Sequence, residues 1–223
     1  LPDENRRHLR EFRVAVITND ATYPVDSDTS TALENVGKHM EDEGAMVLRD
    51  PELPMPSDAL WLLYLTVLRG ATSGRLSDKQ SAEIAAKADG FDAADMNYDP
   101  VQFRSLSQRH QAWLHACDRR EKLRSLWRAF FGDVDALLTP MMATSAFPHM
   151  RELKRQDQYL DVDGTLQPNA DTYYWIGLAS AAHLPSTLAP AGMNKDGLPI
   201  GMQIIGPEAH DRRCIRLAEL LEE

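Results

Sequence analysis

Cysteine is scarce in this chain: Cys117 and Cys214 are the only two, far apart and without a Cys-x-x-Cys unit. That excludes a disulfide framework and a structural zinc site built on thiolates. Long apolar runs are missing too. The longest, Ala59 to Leu68, falls short of the roughly 20 residues that cross a bilayer and reads as a buried helix. The amino terminus, Leu1-Pro2-Asp3-Glu4-Asn5-Arg6-Arg7-His8, has no apolar core before a cleavage site, so no signal peptide is expected and the cytoplasm is the expected compartment. Leucine at position 1 predicts that the natural start lies upstream or has been processed away. An excess of cations is also lacking: 24 Lys and Arg stand against 34 Asp and Glu, a formal net charge of −10. Phosphate backbones and anionic lipids are bound through clustered cations, so neither nucleic acid nor a membrane surface is an expected partner.

What is present is enough for a packed core. The 223 residues are 43% hydrophobic and 26% charged, and no repeat, low-complexity run or linker divides them. One unit over 1–223 is expected. Arg13-Val14-Ala15-Val16-Ile17 is a β-branched run that predicts a strand, and Asp26 to Glu43 carries Leu33, Val36 and Met40 at helical spacing. Asp26 or Ser27 is placed to cap that helix, Gly44 to end it, and Ala45-Met46-Val47-Leu48 to form a second strand. Strand, helix and strand with short joints predict a right-handed crossover and a sheet that is at least partly parallel.

Pro51, Pro54 and Pro56 interrupt regular structure, after which Ser57 and Asp58 are placed to cap the apolar helix. Ser77 to Ala88 is weakly amphipathic, and Gln102 to Phe131 spaces Leu106, Trp113, Cys117, Leu123, Trp127 and Phe130 as a helix does, most clearly in its last two-thirds. Asp135 to Pro140 predicts a strand ended by proline. A loop with an Asp163-Gly164 turn follows to about Gln167, then a helix over Asn169 to Ala182. Ser186 to Pro190 and Leu198 to Ile205 predict two strands joined by a close return, the second covered on both faces. Asp211 would cap a last helix whose Ile215, Ala218 and Leu221 point one way.

Four stretches in order carry a resemblance: the opening strand with Tyr23-Pro24-Val25-Asp26 and its helix; Asp135-Ala136-Leu137-Leu138-Thr139-Pro140; Leu184-Pro185-Ser186-Thr187-Leu188-Ala189-Pro190-Ala191-Gly192; and Gly197 to Gly206 with Asp211. Together they resemble the C-terminal portion of amidase signature proteins. The resemblance implies an α/β fold, a mixed β-sheet flanked by helices, and a parent enzyme that hydrolyses carboxamides through a serine nucleophile, a second serine in a cis peptide and a lysine base. A serine hydroxyl is a poor nucleophile until a base is positioned beside it, and the oxyanion needs aimed donors; a Gly/Ser-rich core supplies both in that family. No Gly-Gly-Ser-Ser-Gly-like run occurs here, so no catalytic residue is expected in this chain.

The resemblance implies a supporting role, in which the chain extends the sheet and walls a pocket for a small amide substrate. Thr139, Pro140 and Met141, leaving a strand end, and Trp175, an aromatic wall, are the candidate substrate-binding residues. The competing reading is that Thr139 and Pro140 merely end a strand and Trp175 fills the core. No cofactor or metal is expected. The partners expected are the missing N-terminal half and, through exposed sheet edges, a second copy of the chain.

Other constellations carry less. Ser180 and His183 with Asp171 upstream suggest a triad, but Ala179-Ser180-Ala181-Ala182 offers no glycine elbow for a nucleophile. His110 and His115 are five apart, off the four-residue step of zinc-binding helices. Arg109 to Arg128 holds six basic and two acidic residues, read as a solvated helix face. The rival to an amidase segment is a stand-alone binding or interaction module on the same scaffold; an independent hydrolase using Ser180 is a third reading.

Overall fold

The computed structural model describes residues 1–222. In chain order its elements are β1 (Arg13–Val16), α1 (Ser27–Asp42), β2 (Met46–Arg49), α2 (Ser57–Ser73), α3 (Asp78–Asp89), α4 (Tyr98–Leu106), α5 (His110–Asp133), β3 (Ala136–Pro140), β4 (Tyr159–Val162), β5 (Thr165–Pro168), α6 (Tyr173–Ser180), β6 (Ser186–Met193), β7 (Pro199–Ile205) and α7 (Asp211–Glu222). Five strands form one sheet in the order β2-β1-β3-β7-β6, and β4 with β5 forms a separate hairpin. β1 is parallel to both β2 and β3; β7 runs antiparallel to β3 and to β6. This is a mixed sheet flanked by helices, as the resemblance implied.

Alternation along the strands divides the core in two. Val14, Val16, Ala136, Leu138, Met202 and Ile204 face one layer, in which Leu33 and Met40 of α1 meet Cys214 and Leu217 of α7. Ala15, Leu137 and Ile205 face the other, filled from α2, α5 and α6 by Leu63, Leu65, Leu123, Trp127, Tyr174 and Leu178. Period-two strands between two helical layers bury both faces, which explains the near-continuous apolar reading of β3 and β7.

Local chemistry sets the helix ends. Asp26 accepts a hydrogen bond from the Thr29 amide at 2.7 Å, a cap worth about 1 kcal/mol. Gly44, at φ +85°, lets the chain reverse directly into β2. α2 starts differently from the sequence expectation: Ser57 is its first residue and caps nothing, because its hydroxyl donates to Asp20 at 2.5 Å. The stretch Gln102–Phe131 is broken at Ser107 to Arg109 into α4 and α5. There the Gln108 side chain turns inward and donates to the carbonyls of Thr66 and Ser105.

Two further expectations change. The region read as loop before Gln167 contains the β4–β5 hairpin, turning at Asp163 and Gly164, which both adopt positive φ. α7 is rotated relative to its predicted face: Cys214, Leu217, Ala218 and Leu220 are buried, while Ile215 is 49% exposed. Contact with Gly206 accounts for this, since a Cβ at Gly206 would lie 2.5 Å from the Cys214 sulfur. β7 ends against α7 at that point, and the approach fixes which side of the helix turns inward.

Candidate functional site

The chain leaves β1 through α1 on one face to reach β2, and returns through α2 to α5 on the other face to reach β3 on the opposite side of β1. That reversal makes a switch point, where a crevice opens outside the carboxyl ends of parallel strands. The segments meeting there are Ile17 to Asp20 after β1, Met141 to Phe147 after β3, and the start of β7 at Pro199 to Gly201, which runs antiparallel beside β3.

Three cavities open in this region. One of about 340 Å³ lies between Asn19, Asp20 and the proline-rich segment Asp50 to Ser57. A second, about 260 Å³, is lined by Met141, Met142, Thr29 and the Pro199–Gly201 backbone. The third and largest, about 500 Å³, is shaped by Thr144 to Pro148, the β4–β5 hairpin and the β6–β7 turn, and shares Thr144 to Phe147 with the second.

A partly buried polar network lies beneath the crevice. Gln203 is 4% exposed in the middle of β7. Its Nε2 donates to Thr139 Oγ1 at 3.2 Å and to the Trp175 carbonyl at 3.1 Å, and its Oε1 accepts from Ser186 Oγ at 2.9 Å. One side chain thereby ties β3, α6 and β6 to β7. Asp20 does the same at the end of β1. Its Oδ1 accepts from the Thr22 and Tyr23 amides, and its Oδ2 from Ser57 Oγ and from Tyr174 OH at 3.0 Å. Tyr174 stacks on Tyr23 with ring centroids 4.6 Å apart, and burial pushes both phenol pKa values up.

The sequence-nominated residues fall into this frame as follows. Thr139 is fully buried, its hydroxyl donating to the Pro140 carbonyl while accepting from Gln203. Pro140 is buried at the strand end, and Met141, half-buried, lines the 260 Å³ cavity. Trp175 is 1% exposed, its Nε1 has no hydrogen-bond partner among the described residues, and it borders a crevice too narrow for water beside Tyr23 and Asp171. Gln203 thus joins Thr139 to Trp175, whereas Met141 stands apart from them in the cavity. Asp171 has its carboxyl pKa raised to about 6, because burial disfavours the charged form. Ser180 and His183 are both exposed at the end of α6; burial lowers the His183 pKa, and Arg120 and Arg124 lower it further. On α5, His110 and His115 are exposed, and Arg124 and Arg128 pair with Glu208.

A sequence model of the family described as Amidase matches residues 1–215. The chain belongs to the amidase family. It is similar to a glutamyl-tRNA(Gln) amidotransferase subunit from Xanthobacter autotrophicus, 29% identical over 217 residues that cover 88% of this chain and 41% of that protein. It is similar also to the same amidotransferase component from Brucella canis, 27% identical over 83% of this chain and 39% of the relative. Among solved structures, an amidase crystal structure superimposes with a TM-score of 0.71 at 19% identity, covering 99% of this chain and 46% of that one. A bacterial aryl acylamidase of the amidase signature enzymes gives 0.65 at 18% identity, covering 96% and 44%. The chain therefore spans about two-fifths of the length of the curated relatives it matches, and the fold of this part is that of amidase signature enzymes.

Within this chain, sequence reasoning missed Gln203 and Asp20. Gln203 had a signal: it is the one strongly polar side chain between Ile200 and Ile205. Asp20 had none, because its partners Ser57 and Tyr174 are distant in sequence.

Proposed function

We propose that this chain is the C-terminal part of an amidase that cleaves the C–N bond of a small carboxamide, and that it walls the substrate pocket without supplying the reacting groups. The observation that carries this reading is its span: the family match runs along nearly the whole chain, yet the chain covers only 41% of a relative. No Gly/Ser-rich run lies within it. In this reading the nucleophilic serine, its serine partner and the lysine base lie in the preceding segment. The end of β3 then faces the substrate, with Met141 in the cavity wall, Thr139 and Trp175 holding that wall through Gln203, and Pro140 closing the strand beside them. No cofactor takes part.

The interface for the preceding half is β6. It is the edge of the sheet, its eight residues carry no charge, and Leu188 and Met193 are 59% and 68% exposed. A long uncharged edge invites another strand. In the isolated chain the same edge is open to a second copy.

Adding the preceding segment in trans and assaying amide turnover tests the reading. Turnover should be at background for each piece alone and should appear on mixing. Hydrolysis by this chain alone, abolished by Ser180→Ala, would replace it with an independent hydrolase.

A further inference from the structure

The cavity of about 260 Å³ beyond the end of β3 holds a buried polar group that the described residues leave unbonded. Thr29 lies on its wall, 2% exposed, and its hydroxyl has no hydrogen-bond partner among those residues. A helical threonine commonly bonds a carbonyl one turn back. Thr29 does not, and the Asp26 carbonyl is taken by the Ser30 amide. The other two hydroxyls of the wall are engaged: Thr144 Oγ1 donates to the Ser145 carbonyl, and Ser145 Oγ accepts from Asn194 Nδ2, each at 2.9 Å. A buried hydroxyl left unbonded costs free energy that a ligand atom reaching it would recover.

The rest of the wall is apolar and uncharged, built on Met141, Met142, Ala146, Phe147 and Ile200. At Gly201, on the same wall, a Cβ would meet nothing within 4 Å. An apolar cavity of about 150 Å³ already holds benzene, so this one has room for a body of about six carbons and a polar head. The first turn of α1 does not draw in an anion, because its Ser27 and Thr29 amides already bond the carboxylates of Asp163 and Asp26, at 2.8 and 2.7 Å. A charged ligand would lose its hydration in a space that offers no counter-ion.

We propose that this cavity selects a neutral carboxamide with a branched aliphatic body. The body lies against Met141, Met142, Phe147 and Ile200, and an atom of the amide group bonds the Thr29 hydroxyl. The amide group rests on the amidase reading; the neutral, apolar character of the ligand rests on the cavity wall.

The probes are 4-methylpentanamide, acetamide and 4-methylpentanoate, which separate the body from the charge. In titrations of this chain followed by amide proton and nitrogen shifts, 4-methylpentanamide should saturate. It should bind at least about tenfold more tightly than acetamide, which lacks the body, and than 4-methylpentanoate, which is charged. Thr29→Val keeps the shape and removes the hydroxyl, and should weaken 4-methylpentanamide about three- to tenfold. Thr29→Ser keeps the hydroxyl and should bind as the parent does. The same spectra show that each variant is folded. Equal affinity for the three probes, no saturable binding of 4-methylpentanamide, or an unchanged affinity in Thr29→Val would each overturn the proposal. With the preceding segment added in trans, turnover without such binding would overturn this assignment and leave the amidase reading standing. Binding without turnover would keep the ligand and overturn the amidase reading.

Discussion

At the scale of single residues, Gln203 and Asp171 govern the polar interior. Replacing Gln203 with leucine leaves Thr139 Oγ1 and the Trp175 carbonyl without the bonds they now make, two deficits in a region closed to water, while exposed Ser186 can turn to solvent. Gln203→Leu should cost about 2–4 kcal/mol of unfolding free energy, read by chemical denaturation; an unchanged midpoint would mean that the network contributes nothing. Asp171 acts in the opposite sense. Its pKa is raised from 3.8 to about 6 by burial, so the folded state binds more protons than the unfolded one between those values. Its contribution to stability is therefore greatest at low pH and falls as pH rises from about 4 to 6. The shift alone bounds the effect near 3 kcal/mol, and partial exposure brings it to about 1–2 kcal/mol. Asp171→Asn should stabilise the chain by that amount at pH 7 and by almost nothing at pH 4. A gain of equal size at both values would show that desolvation of the charge is not the cause.

At the scale of elements, the two edges of the sheet differ. β2 exposes Met46 and Leu48 but ends in Arg49, which pairs with Glu34 and Glu41 of α1. β6 has no charged guard; Pro190, which lacks an amide donor, and the bulge between Pro190 and Gly192 protect only its second half and leave Ser186 to Ala189 open. Charged residues on an edge are a common defence against pairing with another strand. Leu188→Lys should therefore shift the isolated chain from dimer toward monomer in sedimentation velocity. If the wild-type chain is a monomer at tens of micromolar, or if the variant associates as strongly, β6 is not the interface. Among the described residues no helix is long and apolar enough to cross a membrane, which leaves the apolar α2 as the core element its composition suggested.

At the scale of the whole molecule, the strands and helices were legible wherever one period dominated. Val14 and Val16, Leu137 and Leu138, and the run Ile200 to Ile205 reveal strands because both faces are buried, and Asp26 and Gly44 mark the ends of α1 through local chemistry alone. The β4–β5 hairpin was missed beyond its turn because its strands are short and largely exposed, with Thr165, Leu166 and Pro168 outside the core. The break between α4 and α5 was likewise hidden, since it depends on Gln108 reaching a carbonyl of α2. The orientation of α7 was misread for a similar reason: Ile215 and Cys214 are both apolar, and only Gly206 across the layer decides between them. Of the candidate site, Thr139, Pro140 and Met141 were visible as a strand end, while the network that joins Thr139 to Trp175 was not.

The sequence by itself determined the class of fold, the order of the five strands of the main sheet, the family, and the lack of a Gly/Ser-rich nucleophile centre, because each rests on local periodicity or on ordered local motifs. Only the tertiary structure decided where cavities open, which polar groups are buried together and which edge is left unpaired. Those properties belong to pairs of residues far apart in the chain, such as Asp20 with Tyr174 or Asp163 with Ser27, and no local pattern records a contact that exists only once the layers have closed.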